Sequence, residues 1–242
     1  MRCKTRSLVR FAAAGVLLIG ISASQVEAQA QAEPKLQDTI AQRSLACAAC
    51  HGKEGRATRD GYFPRIAGKP AGYLYNQLIN FREGHRRYPM MTYMVAHLSD
   101  DYLLEMAQYF SDLHLPYPPP QAPNVSQQVL QRGRQLVVNG DPSRKIHACI
   151  ACHGAQLTGV SPAIPSLVGL SRDYLNSQFG AWKTGARRAA APDCMADISR
   201  QLTPDDIGAV SAWLASRQVP ADMTPRAATS VKLPVACGSF PQ

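Results

Sequence analysis

The 242-residue sequence lacks several features that would point to common fold or function classes. No alternation of apolar and polar residues is long enough to indicate a half-buried β-strand. No apolar run after residue 30 reaches the roughly 20 residues that span a bilayer. A strong basic stripe of the kind that binds nucleic acid is also missing. These absences favour an all-α fold outside the membrane and argue against nucleic acid as a partner.

The N-terminal segment has the pattern of a secretory signal peptide. Four basic residues surround or precede the start of an apolar stretch, Phe11 to Ala23, and Ala28-Gln29-Ala30 offers a small-residue cleavage site. We expect residues 1–30 to be a signal peptide and the mature protein to be periplasmic. An uncleaved anchor is the alternative, but the apolar stretch is shorter than a membrane span.

The remaining sequence repeats itself with a period near 100, which indicates a domain duplication. Cys47-Ala-Ala-Cys50-His51-Gly52 recurs as Cys149-Ile-Ala-Cys152-His153-Gly154. Other matched positions are Tyr73 and Tyr174, Gln77 and Gln178, Arg86 and Arg187, Arg87 and Arg188, and Met91 and Met195. We expect one domain over residues 31–114, a Pro-rich linker over 115–125, a second domain over 126–217 and an irregular tail over 218–242.

Helical periodicity dominates both halves. Leu74, Leu78 and Phe81 lie on one helical face before Gly84, and the second half repeats this pattern. Ser99 and Thr203 are suited to cap helices whose first turns carry aspartates. The tail shows little periodic apolar pattern.

The doubled Cys-x-x-Cys-His motif predicts covalent attachment of two c-type haems. Two thiols bond the porphyrin, and the adjacent His51 or His153 ligates the iron. A four-thiolate zinc site is disfavoured because nearly a hundred residues separate the cysteine pairs. Two structural disulfides would leave both histidines without a purpose.

A thioether sulfur opposite each histidine would favour ferrous iron, which suits a carrier. Met91 and Met195 hold equivalent positions, each seven residues before Leu98 or Leu202. Met90 and Met94 have no counterparts and are interpreted as packing residues of the haem pocket or the core. The repeat register therefore selects Met91 and Met195 as the distal ligands.

With these residues in place, the chain resembles the dihaem cytochrome c4 family over about residues 35 to 216. The resemblance rests on Cys47–Gly52, Phe63–Gly68, Phe81–Gly84, Met91–Met94 and Leu98–Asp101 with their second-half counterparts. It implies two class I cytochrome c domains with the same methionine ligands. It also implies that the Pro64 and Pro165 carbonyls orient the two imidazoles.

The sequence departs from the family's pattern in three places. The segment before Cys47 lacks the glycine that permits close helix crossing, which Gly133 supplies in the second half. Residues 139–148 are an insertion, and the tail beyond Ser216 is an addition.

Cys194 and Cys237 remain outside the haem motifs. We expect a disulfide between them because an oxidising compartment permits one. The alternative is Cys194 as a thiolate iron ligand, which would make the chain an enzyme similar to dihaem thiosulfate dehydrogenases.

Charge is distributed unevenly. Residues 31–121 hold 10 Lys or Arg and 9 Asp or Glu, net +1, whereas residues 122–242 hold 12 and 7, net +5. This favours transient docking of the second half on an acidic redox partner. The arginine pairs Arg86-Arg87 and Arg187-Arg188 are interpreted mainly as solvated loop charges.

The leading hypothesis is an electron carrier between a quinol-oxidising complex or a dehydrogenase and a terminal oxidase, with possible peripheral membrane association. The alternatives are a haem enzyme of the peroxidase or thiosulfate dehydrogenase type, and a cytochrome subunit of a dehydrogenase complex.

Overall fold

Ten α-helices, five in each half, build the part of the chain that the computed structural model describes, residues 37–58 and 60–240. The expected signal peptide lies outside these residues. The first half contains α1 (Ile40–Arg43), α2 (Leu45–His51), α3 (Ala71–Arg82), α4 (Pro89–Val95) and α5 (Asp100–Ser111). The second half contains α6 (Gln127–Val138), α7 (Cys149–His153), α8 (Arg172–Lys183), α9 (Cys194–Gln201) and α10 (Pro204–Ala215). Within the described residues, β-pairing is limited to isolated bridges, and no helix is long and apolar enough to cross a membrane.

The predicted capping residues start the last helix of each half. The Ser99 hydroxyl accepts a hydrogen bond from the Tyr102 backbone N–H at α5. Thr203 forms a reciprocal capping box with Asp206 at α10, where Pro204 occupies the first helical position. These contacts satisfy N–H groups that a helix start otherwise leaves unpaired.

Each half has its own apolar core. In the first half, α3 packs on α5 through Leu74, Met106 and Phe110. In the second, α6, α8 and α10 contribute Leu136, Leu175 and Leu214 to a larger cluster. Met106 is 4% exposed and belongs to this core.

The helix crossing before the cysteine motif differs between the halves. In the second half α6 approaches α10 so closely that a Cβ at Gly133 would clash with the Ala209 carbonyl oxygen. In the first half the short α1 reaches α5 through an ion pair between Arg43 and Glu105, 3.0 Å long. The close crossing that glycine permits is therefore present in the second half.

The linker and the tail are held more tightly than their composition suggested. The Arg65 guanidinium donates to the Leu115 and Pro116 carbonyls of the linker and lies 3.8 Å from the centre of the Tyr117 ring. In the tail, Phe240 and Cys237 are buried against Val160 and Ile164. The tail thus docks by apolar burial as well as by covalent attachment, although its contacts have no helical period.

The expected disulfide between Cys194 and Cys237 is confirmed, with Cα atoms 5.2 Å apart. It joins the first residue of α9 to the tail. Nearby, the Gly238 N–H donates to the Pro192 carbonyl at 3.0 Å. The tail is therefore fixed beside the segment that carries Met195.

Candidate functional site

The two motif histidines are buried and held by the same type of contact. His51 Nδ1 donates to the Pro64 carbonyl oxygen at 2.8 Å, and His153 Nδ1 donates to the Pro165 carbonyl oxygen at 2.7 Å. Since a carbonyl only accepts, this contact places the proton on Nδ1 and leaves Nε2 as the metal-binding atom.

Burial also keeps both imidazoles neutral. It lowers the pKa of His153 to about 4 and lowers the pKa of His51 below its ordinary value. A neutral imidazole has the free lone pair that a metal requires. Both histidines therefore have the protonation state that an axial ligand of haem iron requires.

The motif cysteines lie beside these histidines. Cys47 and Cys50 are half-buried in α2, and Cys149 and Cys152 are half-buried in α7. None of these four described cysteines takes part in a disulfide. Within the described ranges, no group of three or more His, Cys, Asp or Glu side chains converges as a metal site, so the cysteine pairs are not assembled around a shared ion.

The methionines that the repeat register selected lie on equivalent short helices. Met91 belongs to α4 and Met195 to α9, and both are partly buried against the core of their own half. Met90 and Met94 are 56% and 37% exposed, so they are not core residues. Both line the cavity described next, so packing in the haem pocket stays the prediction for these two residues.

All these side chains line one continuous cavity of about 620 Å³. The cavity contains both Cys-x-x-Cys-His motifs, Met91 and Met195, and it passes through the contact between the halves. Its deeper walls are apolar side chains such as Leu74, Phe81, Leu175 and Phe179. Two flat apolar macrocycles with thiol attachment points and an axial imidazole each fit such a space.

An arginine pair forms the polar centre of this cavity. Arg86 donates to Gln178 at 2.6 Å and to Gln77 at 3.0 Å, while Arg187 donates to the same two glutamines at 2.8 and 2.9 Å. Each guanidinium also reaches the tyrosine of the opposite half, Tyr174 or Tyr73. The backbones of Arg86 and Arg187 form an antiparallel bridge.

This arrangement corrects the interpretation of the arginine pairs as solvated loop charges. Arg187 is 6% exposed, and Arg86 is partly buried. Only their neighbours Arg87 and Arg188 are exposed. The reason is that the two halves meet through equivalent surfaces, as the subunits of an isologous dimer do. Arg86 and Arg187 are equivalent in the repeat, so they lie against each other at this contact.

The arginine pair also provides donors that could bind the carboxylates at the edge of a haem. Neither guanidinium has a carboxylate partner among the described residues. The buried Trp182 Nε1, which also lines the cavity, has no hydrogen-bond partner. Donors of this kind suit carboxylates such as haem propionates.

Sequence reasoning missed two groups of residues around the site. Lys69 and Ser166 join the halves behind the second histidine. Asp206 binds Arg132 and Arg144, the second of which lies in the insertion. The matched Tyr, Gln and Arg positions could have revealed the interface, but no repeat position marks Lys69 or Arg144.

Comparison with known proteins agrees with this geometry. The cytochrome c family profile matches residues 130–218. The thiosulfate dehydrogenase electron acceptor of Stutzerimonas stutzeri (strain A1501) is 35% identical over 204 residues, covering 82% of this chain and 93% of that protein. Cytochrome c4 of Pseudomonas aeruginosa is 29% identical over 174 residues, covering 71% and 84%.

The chain belongs to the dihaem cytochrome c4 family.

Solved structures show the same architecture. Reduced recombinant cytochrome c4 from Pseudomonas stutzeri superposes with a TM-score of 0.64 at 26% identity, covering 74% of this chain and 97% of that one. Thiosulfate dehydrogenase (TsdBA) from Marichromatium purpuratum gives a TM-score of 0.67 at 29% identity and covers 75% of this chain. This chain spans 39% of that protein's length.

Family membership confirms two sequence predictions. The fold is all-α with tandem cytochrome c domains, and the cofactors are two covalently bound haem c groups. The chain is a member of a family of dihaem electron carriers that work with redox partners.

Proposed function

We propose that this dihaem cytochrome accepts single electrons from a periplasmic dehydrogenase and passes them to a terminal oxidase. Thiosulfate dehydrogenase is the first candidate for the donor. Electron acceptors of that enzyme from Stutzerimonas stutzeri and Thiomonas intermedia are each 35% identical to this chain. A quinol-oxidising complex is the second candidate for the donor, because a respiratory electron carrier is also expected to take electrons from such a complex.

One observation carries the proposal: two equivalent His and Met pairs line the same continuous cavity. We infer His51 with Met91 and His153 with Met195 as the axial ligands. Each bound haem iron supplies reversible one-electron redox chemistry. The protein holds the imidazoles through Pro64 and Pro165 and surrounds the site with apolar side chains, which limits the rearrangement that accompanies a change of charge.

The disulfide supports a carrier over an enzyme. Substrate chemistry at an iron needs an open position or a reactive ligand, and Cys194 was the sequence candidate for such a ligand. Its sulfur is bonded to Cys237. A thiolate ligand from Cys194 would require that bond to be broken.

A periplasmic location follows from the same proposal. The signal-like pattern of residues 1–30 and the disulfide both suit an exported protein in an oxidising compartment. N-terminal sequencing of the mature protein from the periplasmic fraction tests cleavage after Ala30.

Stopped-flow spectroscopy with purified partners tests the donor. We expect thiosulfate plus a catalytic amount of thiosulfate dehydrogenase to reduce both haems, whereas thiosulfate alone leaves the cytochrome oxidised. Rapid reduction by a quinol-oxidising complex, with none by the dehydrogenase, would replace the first donor by the second. Thiosulfate oxidation by the cytochrome alone would establish the enzyme alternative.

A further inference from the structure

Lys69 is a buried cation that crosses from the first half to the second. It is 3% exposed, and its Nζ donates to the Ser166 hydroxyl at 2.5 Å and to the Ser166 carbonyl at 3.1 Å. Ser166 is itself 2% exposed. This contact therefore forms part of the interior between the two halves.

Among residues 37–58 and 60–240, no Asp or Glu side chain forms an ion pair with Lys69. Its Nζ donates hydrogen bonds to Ser166. Burial, with a smaller effect of the nearby Arg65 charge, lowers the pKa of Lys69 to about 7. Burial of an ammonium group is costly, and Lys69 lines the same cavity as both Cys-x-x-Cys-His motifs.

The lysine contacts the loop that orients the second proximal histidine. Ser166 directly follows Pro165, whose carbonyl oxygen accepts the hydrogen bond from His153 Nδ1. A short covalent and hydrogen-bonded path thus joins a first-half side chain to a second-half ligand.

The duplication does not repeat this contact. The position equivalent to Lys69 is Leu170, and the position equivalent to Ser166 is Arg65. Arg65 turns to the linker carbonyls instead. The first proximal loop is therefore tied to the linker, and the second is tied to Lys69.

We propose that Lys69 is a positioning residue for the second haem, reaching its proximal histidine from the other half through Ser166. The inference rests on the proposed ligation by His153. A cation behind the imidazole disfavours the additional positive charge of ferric iron. Lys69 therefore holds the reduction potential of the second haem above the value that the second half would give it alone.

Redox titration of the holoprotein at pH 6, with each haem followed by its hyperfine-shifted NMR signals, tests this role. The Met195→Ala variant assigns the signals, because it removes the distal methionine signals of one haem. We expect Lys69→Met to shift the reduction equilibrium of the second haem roughly threefold to tenfold toward the ferric form, where tenfold equals about 59 mV for one electron. The first haem should shift less than twofold.

Matched variants separate this role from a structural one. Lys69→Gln keeps a donor without the charge and should shift the same haem in the same direction. Lys232→Met removes one exposed charge from the tail and should shift neither haem. If Lys69→Met does not fold, Ser166→Ala serves instead and should shift the second haem alone, by less than the charge removal does.

An unchanged second haem in the folded Lys69 variants, or an equal shift of both haems, would overturn the proposal. If Lys69→Met does not fold, an unchanged second haem in Ser166→Ala would overturn it as well. The titration needs no partner protein, so failure of the donor assay leaves it intact. If Met195→Ala removed no methionine signals, the proposed ligation would fail separately.

Discussion

The two halves keep the same haem pocket and differ in what covers it. The second half has an insertion, a buried ionic cluster at Asp206 and a docked tail with a disulfide. In the described residues, all the exposed large apolar side chains belong to the first half, and they are Leu45, Tyr62, Met90, Tyr93, Met94 and Leu104. The two halves therefore share the hydrogen bond from the motif histidine to a proline carbonyl and differ in their outer contacts.

This divergence suggests separate duties. The second half carries the larger positive charge and the stabilising additions, whereas the first half carries the exposed large apolar side chains. Long-range attraction would then act through the second half and close contact through the first.

Removing the disulfide should destabilise the second half most. The bond closes a separation of 43 residues, for which the chain-entropy model gives roughly 4 kcal/mol before strain. The double variant Cys194→Ser with Cys237→Ser should lower the melting temperature and leave both haem spectra nearly intact. A changed second-haem spectrum in Cys194→Ser alone would instead support a thiolate ligand.

The close helix crossing should also matter only in the second half. Gly133→Ala would push a methyl group into the Ala209 carbonyl, and overpacking of this kind costs roughly 1–3 kcal/mol. Gly208→Ala, one residue before Ala209 on the same helix, meets no atom within 4 Å. It should stabilise the helix by about 0.5–1 kcal/mol. Denaturant unfolding of the two variants measures these changes in the free energy of unfolding. Equal changes in Gly133→Ala and Gly208→Ala would contradict the close crossing at Gly133.

Acid should weaken the second half through Asp206. Burial alone would raise its pKa, but hydrogen bonds from Arg144, Thr203 and Arg132 outweigh burial and hold the pKa at about 2. Because the folded pKa is depressed, the stabilisation is complete above about pH 4 and is lost as the pH falls toward 2. Its size is about 2 kcal/mol.

Denaturant unfolding between pH 5 and pH 2.5 measures this contribution. Asp206→Asn should remove it, so the variant loses less stability than the parent protein over that range. Glu105→Gln is the matched control because Glu105 makes the corresponding exposed ion pair with Arg43 in the first half. If Glu105→Gln flattened the pH dependence as much, the difference between the halves would not hold.

The two halves should also differ in how much each contributes to the rate of association with an acidic partner, and this is the smallest difference we expect. Arg87 and Arg188 are equivalent exposed arginines, one in each half. Since exposed charges are screened over about 10 Å at 0.1 M salt, Arg188→Glu should slow association with an acidic partner at low salt more than Arg87→Glu does. Tyr93→Ser should slow the reaction even at high salt. Stopped-flow rates across ionic strength decide, and a larger effect of Arg87→Glu would reverse the assignment.

The sequence predicted the parts of the fold that depend on local pattern. The stripe of Leu74, Leu78 and Phe81 marks α3, and Ser99 and Thr203 begin the helices that they were predicted to cap. The doubled motif predicted two haems because its spacing reflects covalent chemistry. Each of these patterns lies within a short stretch of sequence, so it can be recognised without knowledge of tertiary contacts.

Contacts between distant segments were beyond the same reasoning. Repetition identified Arg86 and Arg187 as equivalent but did not show that equivalent residues face each other. The tail docks through Phe240 and Cys237, which follow no helical period. Lys69 has no equivalent lysine in the repeat, so its burial against Ser166 became visible only in three dimensions.

The near-infrared sulfur-to-iron charge-transfer band of the oxidised protein, normalised to haem content, tests the central claim most directly. That claim is that both irons carry a methionine and the protein is a carrier. We expect the band intensity of two haems in the unmodified protein, half of that intensity in Met91→Ala and all of it in Met94→Ala. Intensity for one haem in the unmodified protein would contradict it.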